Sequence, residues 1–263
     1  MIKKYIWSLI FMSVVTGMCF SQGLGIGASE RSLFSVGCGI IATNNIFRIT
    51  RTYQSEQIAP DFAAGKKDFS SKKLTIDTNC NDIGGYLFFD ATYAEMDVSF
   101  ATGKAACSMK GRLFDAIKMG VSVYGKYPIV LNSLGFTISP IAGIQYDIAL
   151  DATTRHGNKV VAGNTEEKAG ILIYTGKENG HSKYRSGTVN DINALMIKFG
   201  ASARYPVSDK FYFDTQFLWG ILLYNTLIDS NERDRKDSFE SLGYEEKYLF
   251  HGTTFKIAVG YVL

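Results

Sequence analysis

The stretch Phe211-Tyr-Phe-Asp-Thr-Gln-Phe-Leu-Trp-Gly-Ile-Leu-Leu223 decides the fold. Its odd positions, Phe211, Phe213, Thr215, Phe217, Trp219, Ile221 and Leu223, are almost all large and apolar, while the even ones include Tyr212, Asp214, Gln216 and Gly220. A repeat of two is the strand period, because successive side chains leave the backbone on opposite faces. The same alternation recurs on either side. Phe255, Ile257, Val259, Tyr261 and Leu263 alternate with Lys256, Ala258 and Gly260; Leu195 to Tyr205 alternates with Met196, Lys198, Gly200, Ser202 and Arg204. Earlier runs are Ile138–Leu150, Ile117–Val123 and Ala94–Phe100, with less regular ones at Ile83–Phe89 and Leu33–Ala42. That makes eight strands. Long connections, about 44–82, 151–190 and 226–252, alternate with short turns, as in a transmembrane antiparallel up-and-down β-barrel with long extracellular loops.

A soluble barrel also alternates, so the composition of each face must decide which one points inward. The apolar face carries no charge within these runs, and its aromatics gather near strand ends, as lipid exposure requires. The other face is rich in Gly, Ser, Ala and Tyr, which are packing residues rather than a water-facing coat. Its charges are Glu95, Asp97, Asp147 and Asp214 against Lys118, Lys198, Arg204 and Lys256. Four acids facing four bases imply a salt-bridged lumen, because eight strands leave an interior that side chains can fill. Asp214 is expected to pair with Arg204, Lys198 or Lys256.

Composition agrees with this class. Of 263 residues, 26 are Gly, 18 Phe and 15 Tyr but only 4 Pro, which fits neither a disordered chain nor a helical bundle. The net charge is +3, of which Lys3 and Lys4 supply two, so a nucleic-acid partner is not expected. Residues 1–21 read as a signal peptide: Met-Ile-Lys-Lys, an apolar run to Val15, then small residues, with cleavage after Ser21 and residues 22–263 forming the barrel. A lipoprotein cut before Cys19 competes, although Met18 is a poor residue to precede a lipidated cysteine.

The segment Gly84-Gly-Tyr-Leu-Phe-Phe-Asp-Ala-Thr-Tyr-Ala-Glu-Met-Asp-Val-Ser-Phe100 resembles the Phe-Phe-Asp-Ala-Thr-Tyr hairpin of small outer-membrane β-barrels of spirochaetes. With Lys126-Tyr-Pro128, Pro140–Tyr146 and Thr254–Leu263, the likeness extends from Gly84 to Leu263 outside the loops. Such proteins resemble the OmpW/OmpX-like group. The resemblance implies localisation in the cell outer membrane and insertion by the barrel-assembly machinery through the C-terminal strand, although that strand ends in Leu263 where Phe is usual. It also implies a role either in surface display, with ligand contact through the loops, or as a channel for small solutes or hydrophobic molecules.

Catalytic and cofactor motifs are not found, and no cofactor, metal or enzymatic activity is expected. Gly23, Gly25 and Gly27 lack the dinucleotide spacing and abut the cleavage site. His156, His181 and His251 fall in long connections, with no pairing at metal-ligand spacing; His251 lies at the top of the last strand, near Asp229 and Asp234. Tyr174 to Arg185 interleaves aromatic and basic residues, which either stand solvated without a partner, the simpler reading, or meet lipopolysaccharide, glycan or a host surface. Of the cysteines, Cys38 shares the lipid-facing parity of Phe34, Val36 and Ile40. Cys80 and Cys107 flank one hairpin on the extracellular side, where a disulfide between them is expected to persist.

Overall fold

The structure, a computed structural model, describes residues 34–53, 73–107, 112–131, 135–153, 172–237 and 244–263. The leader, the Gly23–Gly27 run, the lipoprotein alternative and His156 lie outside them. Among the described residues eleven strands are formed: β1 (Ser35–Tyr53), β2 (Lys73–Ala91), β3 (Ala94–Cys107), β4 (Arg112–Lys126), β5 (Ile129–Leu131), β6 (Phe136–Thr153), β7 (Leu172–Glu178), β8 (His181–Ser186), β9 (Ala194–Pro206), β10 (Phe211–Asn225) and β11 (Tyr244–Val262). A 3-10 turn spans Val189–Ile192, and helix α1 spans Thr226–Asp237.

Eight of the strands close a ring in the order β4-β3-β2-β1-β11-β10-β9-β6, with β6 returning to β4, every pair antiparallel. Short β5 prolongs the β4 side of β6, and β7–β8 form a separate hairpin. The stagger of the ring follows from its register. Ile41 leads through Gly84, Ala101 and Lys118 to Ala149. In the other direction it leads through Lys256, Gln216 and Ser202 to Ser139, ten residues away on the same strand. For eight strands, a shear of ten residues tilts the strands by about 40°. Closure satisfies the backbone groups of the wall without water, which is the condition for crossing lipid as a sheet.

Outward positions carry the exposed apolar side chains, among them Ile40, Leu87, Phe100, Phe199, Phe217 and Val259. From Phe211 to Leu223, at about 3.3 Å per residue and this tilt, the apolar band is about 25 to 30 Å tall. Its lower edge is aromatic: Phe34 stacks on Phe89 with centroids 5.6 Å apart, and Phe211 meets Tyr261 edge to face at 5.2 Å. Cys38 belongs to this lipid-facing band. The two-residue turn after β2, the 207–210 turn and both described chain ends lie at this lower end. The long connections lie at the other.

Inside, rings are accommodated where the paired residue on the neighbouring strand has no side chain. A Cβ at Gly260 would sit 2.0 Å from Cζ of Tyr212, and one at Gly37 would sit 2.4 Å from the Phe88 ring. Glycine here makes room for a neighbouring ring rather than for a turn.

The loop boundaries differ from those expected. Residues 44–53 and 73–82 are strand, so β1, β2 and β11 stay paired up to Thr52↔Lys73 and Tyr53↔Tyr244, well past the apolar band. The first connection therefore shrinks to 54–72. The 151–190 connection contains the β7–β8 hairpin, and the 226–252 connection is α1 followed by the start of β11. Above the membrane the polar residues Arg48, Thr50 and Thr52 of β1 face outward and Phe47 and Ile49 face inward, so the apolar-outward alternation that marks the embedded part ends there.

Candidate functional site

Two regions of the lumen are built differently. The lower one is ionic. Arg204 on β9 reaches Asp214 on β10 at 3.3 Å and also bonds Asp90 on β2 across the lumen. Lys126 donates to Asp90 at 2.6 Å and to Glu95 at 3.2 Å, and Gln216 donates to Glu95 at 2.7 Å. The Arg204 guanidinium lies 4.0 Å from the centre of the Tyr212 ring, whose hydroxyl meets Ser35 at 2.6 Å. One layer higher, fully buried Lys256 pairs with Asp97 and lies 5.0 and 4.8 Å from the ring centres of Tyr86 and Tyr124. Above that, Lys198 donates to Thr254 at 2.8 Å, Gln145 to Asp147 at 2.5 Å, and Lys118 to Asp82 at 2.7 Å. A polar cavity of about 20 Å³ remains between Lys118, Lys198, Asp82 and Asp147, room for about one water molecule.

All eight expected lumen charges point inward, and the structure brings them together in part. Asp214 meets Arg204, one of the three bases expected for it, and Lys256 meets Asp97. Glu95 and Lys118 find partners outside the expected set. Among the described residues no carboxylate lies within 4.0 Å of the Lys198 ammonium, and Asp147 is held by Gln145. Sequence reasoning missed Asp82, Asp90 and Lys126, which it had placed in a loop and in turns. Asp90 keeps the parity of Tyr86 and Phe88, and Lys126 that of Ser122 and Tyr124, so extending the first alternation by one inward step and the second by two finds both. With them, six carboxylates face five bases in this part of the lumen.

The upper region is mainly apolar, with Arg51 and Glu246 paired at 2.6 Å near its top, and is closed by chain inserted from the connections. Leu227 of α1 and Val189 and Ile192 of the 3-10 turn pack with Ala116, Ala149, Ala152 and Ile173. Ile228 packs with Phe47, Ile49 and Cys80 on the emergent parts of β1 and β2. Asn225 fixes the start of the helix, its carboxamide accepting from the Ile228 N–H at 2.9 Å and donating to the carbonyls of Ile192 and Asn193.

On this plug sits the β7–β8 hairpin, turned by Asn179 and Gly180, both at positive φ (52° and 81°), the residue pair preferred in a two-residue hairpin turn. The Tyr174 N–H donates to Ser230 at 2.6 Å, its hydroxyl to Asp237 at 2.6 Å, and the Tyr184 hydroxyl to Asp234 at 2.8 Å. The bond to Asp237 pushes the Tyr174 phenol up to about 12. Arg185 grips Asp191 with both terminal nitrogens, at 2.8 and 2.5 Å. Burial works to raise the Asp191 carboxyl, but the bonds from Arg185 and from the Thr188 N–H outweigh it and hold Asp191 below the usual carboxylate range.

Two sequence expectations are corrected here. Cys80 is a free thiol, buried on the lumen side of β2 beneath Ile228, so the Cys80–Cys107 disulfide is not formed. The side chain of Cys107 lies outside the described residues. Its backbone pairs with Arg112 on β4, beyond the last β2–β3 pair, Asp82↔Gly103. His251 is not a loop residue. It faces outward on β11, its ring 6.1 Å from that of Trp219, whereas Asp234 is buried in the cap.

No protein-family model matches the chain, and no curated protein matches it. Among solved structures it is similar to Neisserial surface protein A, with 7% identity over 89% of this chain and 100% of that one, at a TM-score of 0.38. It is similar to the outer membrane protein OprG of Pseudomonas aeruginosa, with 10% identity over 89% and 97% of the two chains, at 0.36. It is also similar to the attachment invasion locus protein Ail of Yersinia pestis, with 11% identity over 86% and 97%, at 0.31.

Proposed function

We propose that the protein is an outer-membrane barrel that conducts no solute and acts through its extracellular cap, as a surface that contacts ligands or neighbouring cells. The observation that carries this reading is the double closure of the lumen. Tyr124, Met196, Lys198, Gln216, Leu218 and Lys256 fill the middle of the barrel with at most 2% exposure, and the apolar plug of α1 and the 3-10 turn lies above them. A conduit would leave its axis wet. Here the ordered investment is in the cap instead. The hairpin is held to α1 at both of its strands and presents Lys177, His181, Lys183, Tyr184 and Arg185 to solvent.

The role in this reading is contact rather than catalysis. Export through a leader cleaved after Ser21, and insertion through β11 by the barrel-assembly machinery, belong to the same proposal. The test is topological. His181→Cys, at the hairpin tip, should react with a membrane-impermeant maleimide in intact cells, above the background of the wild-type cysteines. Labelling that appears only after the outer membrane is permeabilised would contradict it.

A further inference from the structure

Directly above the apolar band, one sector of the outer wall changes chemistry within a single row. Ala42, with its partners Ile83 and Phe255, gives way to Asn44, flanked by Asn81 and Thr253. The next outward row is Ile46, flanked by Asn79 and His251, and Thr102 stands beside Ile83. Asn44, Asn79, Asn81 and Thr102 are exposed. Among the described residues, nothing bonds the three carboxamides.

Along a strand alternate residues rise by about 5 Å at this tilt, and the shear lifts each row by about 3 Å per strand toward β2, so Asn44, Thr102 and Asn81 stand within the polar headgroup layer, about 5 to 8 Å deep on each side of a bilayer, and Asn79 stands just beyond it. The ledge continues the lipid-facing surface, so its neighbour is the head of the lipid whose chains cover Ile83, Ala42 and Phe255.

The charge on the ledge selects among heads. Arg48 donates to Asp77 through two nitrogens at 2.7 Å each, and Lys104 is paired with Asp115. Arg48 and Lys104, the bases nearest the ledge on the outer faces of β1 and β3, are thus already paired with carboxylates. What remains is a row of carboxamides and hydroxyls, which both donate and accept, as sugar hydroxyls require. Trp219, paired with Thr253 and next to His251, adds an aromatic face at the top of the apolar band, just below the ledge.

We propose that this ledge binds the uncharged sugar head of a glycolipid in the adjoining leaflet. The inference rests on the transmembrane placement of the barrel and is independent of what the cap contacts.

Trp219 makes the test direct, since the only other tryptophan is Trp7 in the leader. The protein is placed in phosphatidylcholine nanodiscs with rising fractions of brominated digalactosyldiacylglycerol, phosphatidylglycerol or phosphatidylcholine, and Trp219 quenching is followed. The glycolipid should reach half-quenching at about a fivefold lower fraction than the other two, the worth of about one net hydrogen bond. The triple variant Asn44→Ala, Asn79→Ala, Asn81→Ala should lose that preference while keeping heat-modifiable gel mobility; Asn81→Leu alone serves if the triple variant does not fold. Equal quenching by all three lipids, a preference for phosphatidylglycerol, or a glycolipid preference that survives the substitutions would overturn the proposal. Absence of quenching by any lipid would instead overturn the membrane placement on which it rests.

Discussion

Up to the layer of Lys198 and Lys118 the lumen is filled with charge; above it the same wall is closed mainly with hydrocarbon, with Arg51 and Glu246 paired near the top. The lower filling is supplied by the wall itself, each base meeting a carboxylate or hydroxyl from another strand, as Arg204 on β9 meets Asp90 on β2. The upper filling is brought in from outside the wall, on α1 and the 3-10 turn. The difference follows from what each part of the wall faces. In lipid the outer face must be apolar, so an alternating strand leaves its polar residues to the lumen. Above the bilayer the outer face is polar, and the inner face is free to carry Phe47, Ile49 and Phe250, which then need an apolar partner. The two halves should therefore fail differently. Losing one partner of a buried ion pair strands a charge, whereas losing a cap residue opens a cavity and leaves the wall intact.

The largest effect is expected at Lys256, fully buried between Asp97 and two tyrosine rings. Lys256→Met leaves the Asp97 carboxylate unpaired and should destabilise the barrel by about 3 to 5 kcal/mol. Urea unfolding in detergent, read from heat-modifiable mobility, measures it. The double variant Lys256→Met, Asp97→Leu should recover much of the loss, because no charge is left stranded.

In the upper region Leu227→Ala should cost about 2 to 4 kcal/mol, from lost burial and the cavity it leaves. That loss should appear as protease cleavage within the cap at conditions where the barrel band has not shifted. A simultaneous loss of barrel and cap would show that the two regions are one cooperative unit.

Asp214→Ala is expected to be milder than Lys256→Met, about 1 to 3 kcal/mol, since Arg204 keeps Asp90 and carboxylates outnumber bases around it. An effect as large as that of Lys256→Met would mean that Asp214, not Asp90, is the principal partner of Arg204.

The smallest effect is a dependence on pH. Asp191 is held below its unfolded range, so its contribution is present above the unfolded carboxylate value near 4 and is lost as pH falls through the lower folded value. Protease resistance of the hairpin should hold from neutral pH down to about 4 and weaken only below it. In Asp191→Asn it should be weaker at neutral pH and flatter.

The sequence made the embedded half legible and the emergent half opaque, for one physical reason. Lipid demands an unbroken apolar face, so Phe211 to Leu223 announces its strand and its inward Asp214 in the same reading. Above the membrane nothing enforces that contrast. Residues 44–53, with Asn44, Arg48, Thr50 and Thr52 outward, read as loop although they are strand. Asp82, Asp90 and Lys126 were hidden because they stand where strands were thought to have ended. The cap left one local signal, Asn179-Gly180 between Leu172–Glu178 and His181–Ser186, but its docking on α1 rests on long-range bonds such as Tyr184 to Asp234 that no spacing displays. The Cys80–Cys107 expectation failed for the same reason: with β2 taken as short, Cys80 appeared to stand outside the barrel rather than in its wall.

The central claim is that the lumen is closed twice, and planar-bilayer recording of the refolded protein addresses it most directly. Wild type and the cap variant Leu227→Ala should both pass no current, because the layer of Tyr124, Lys198 and Lys256 seals the barrel without help from the cap. Discrete, reproducible conductance steps from the wild-type protein would contradict the account.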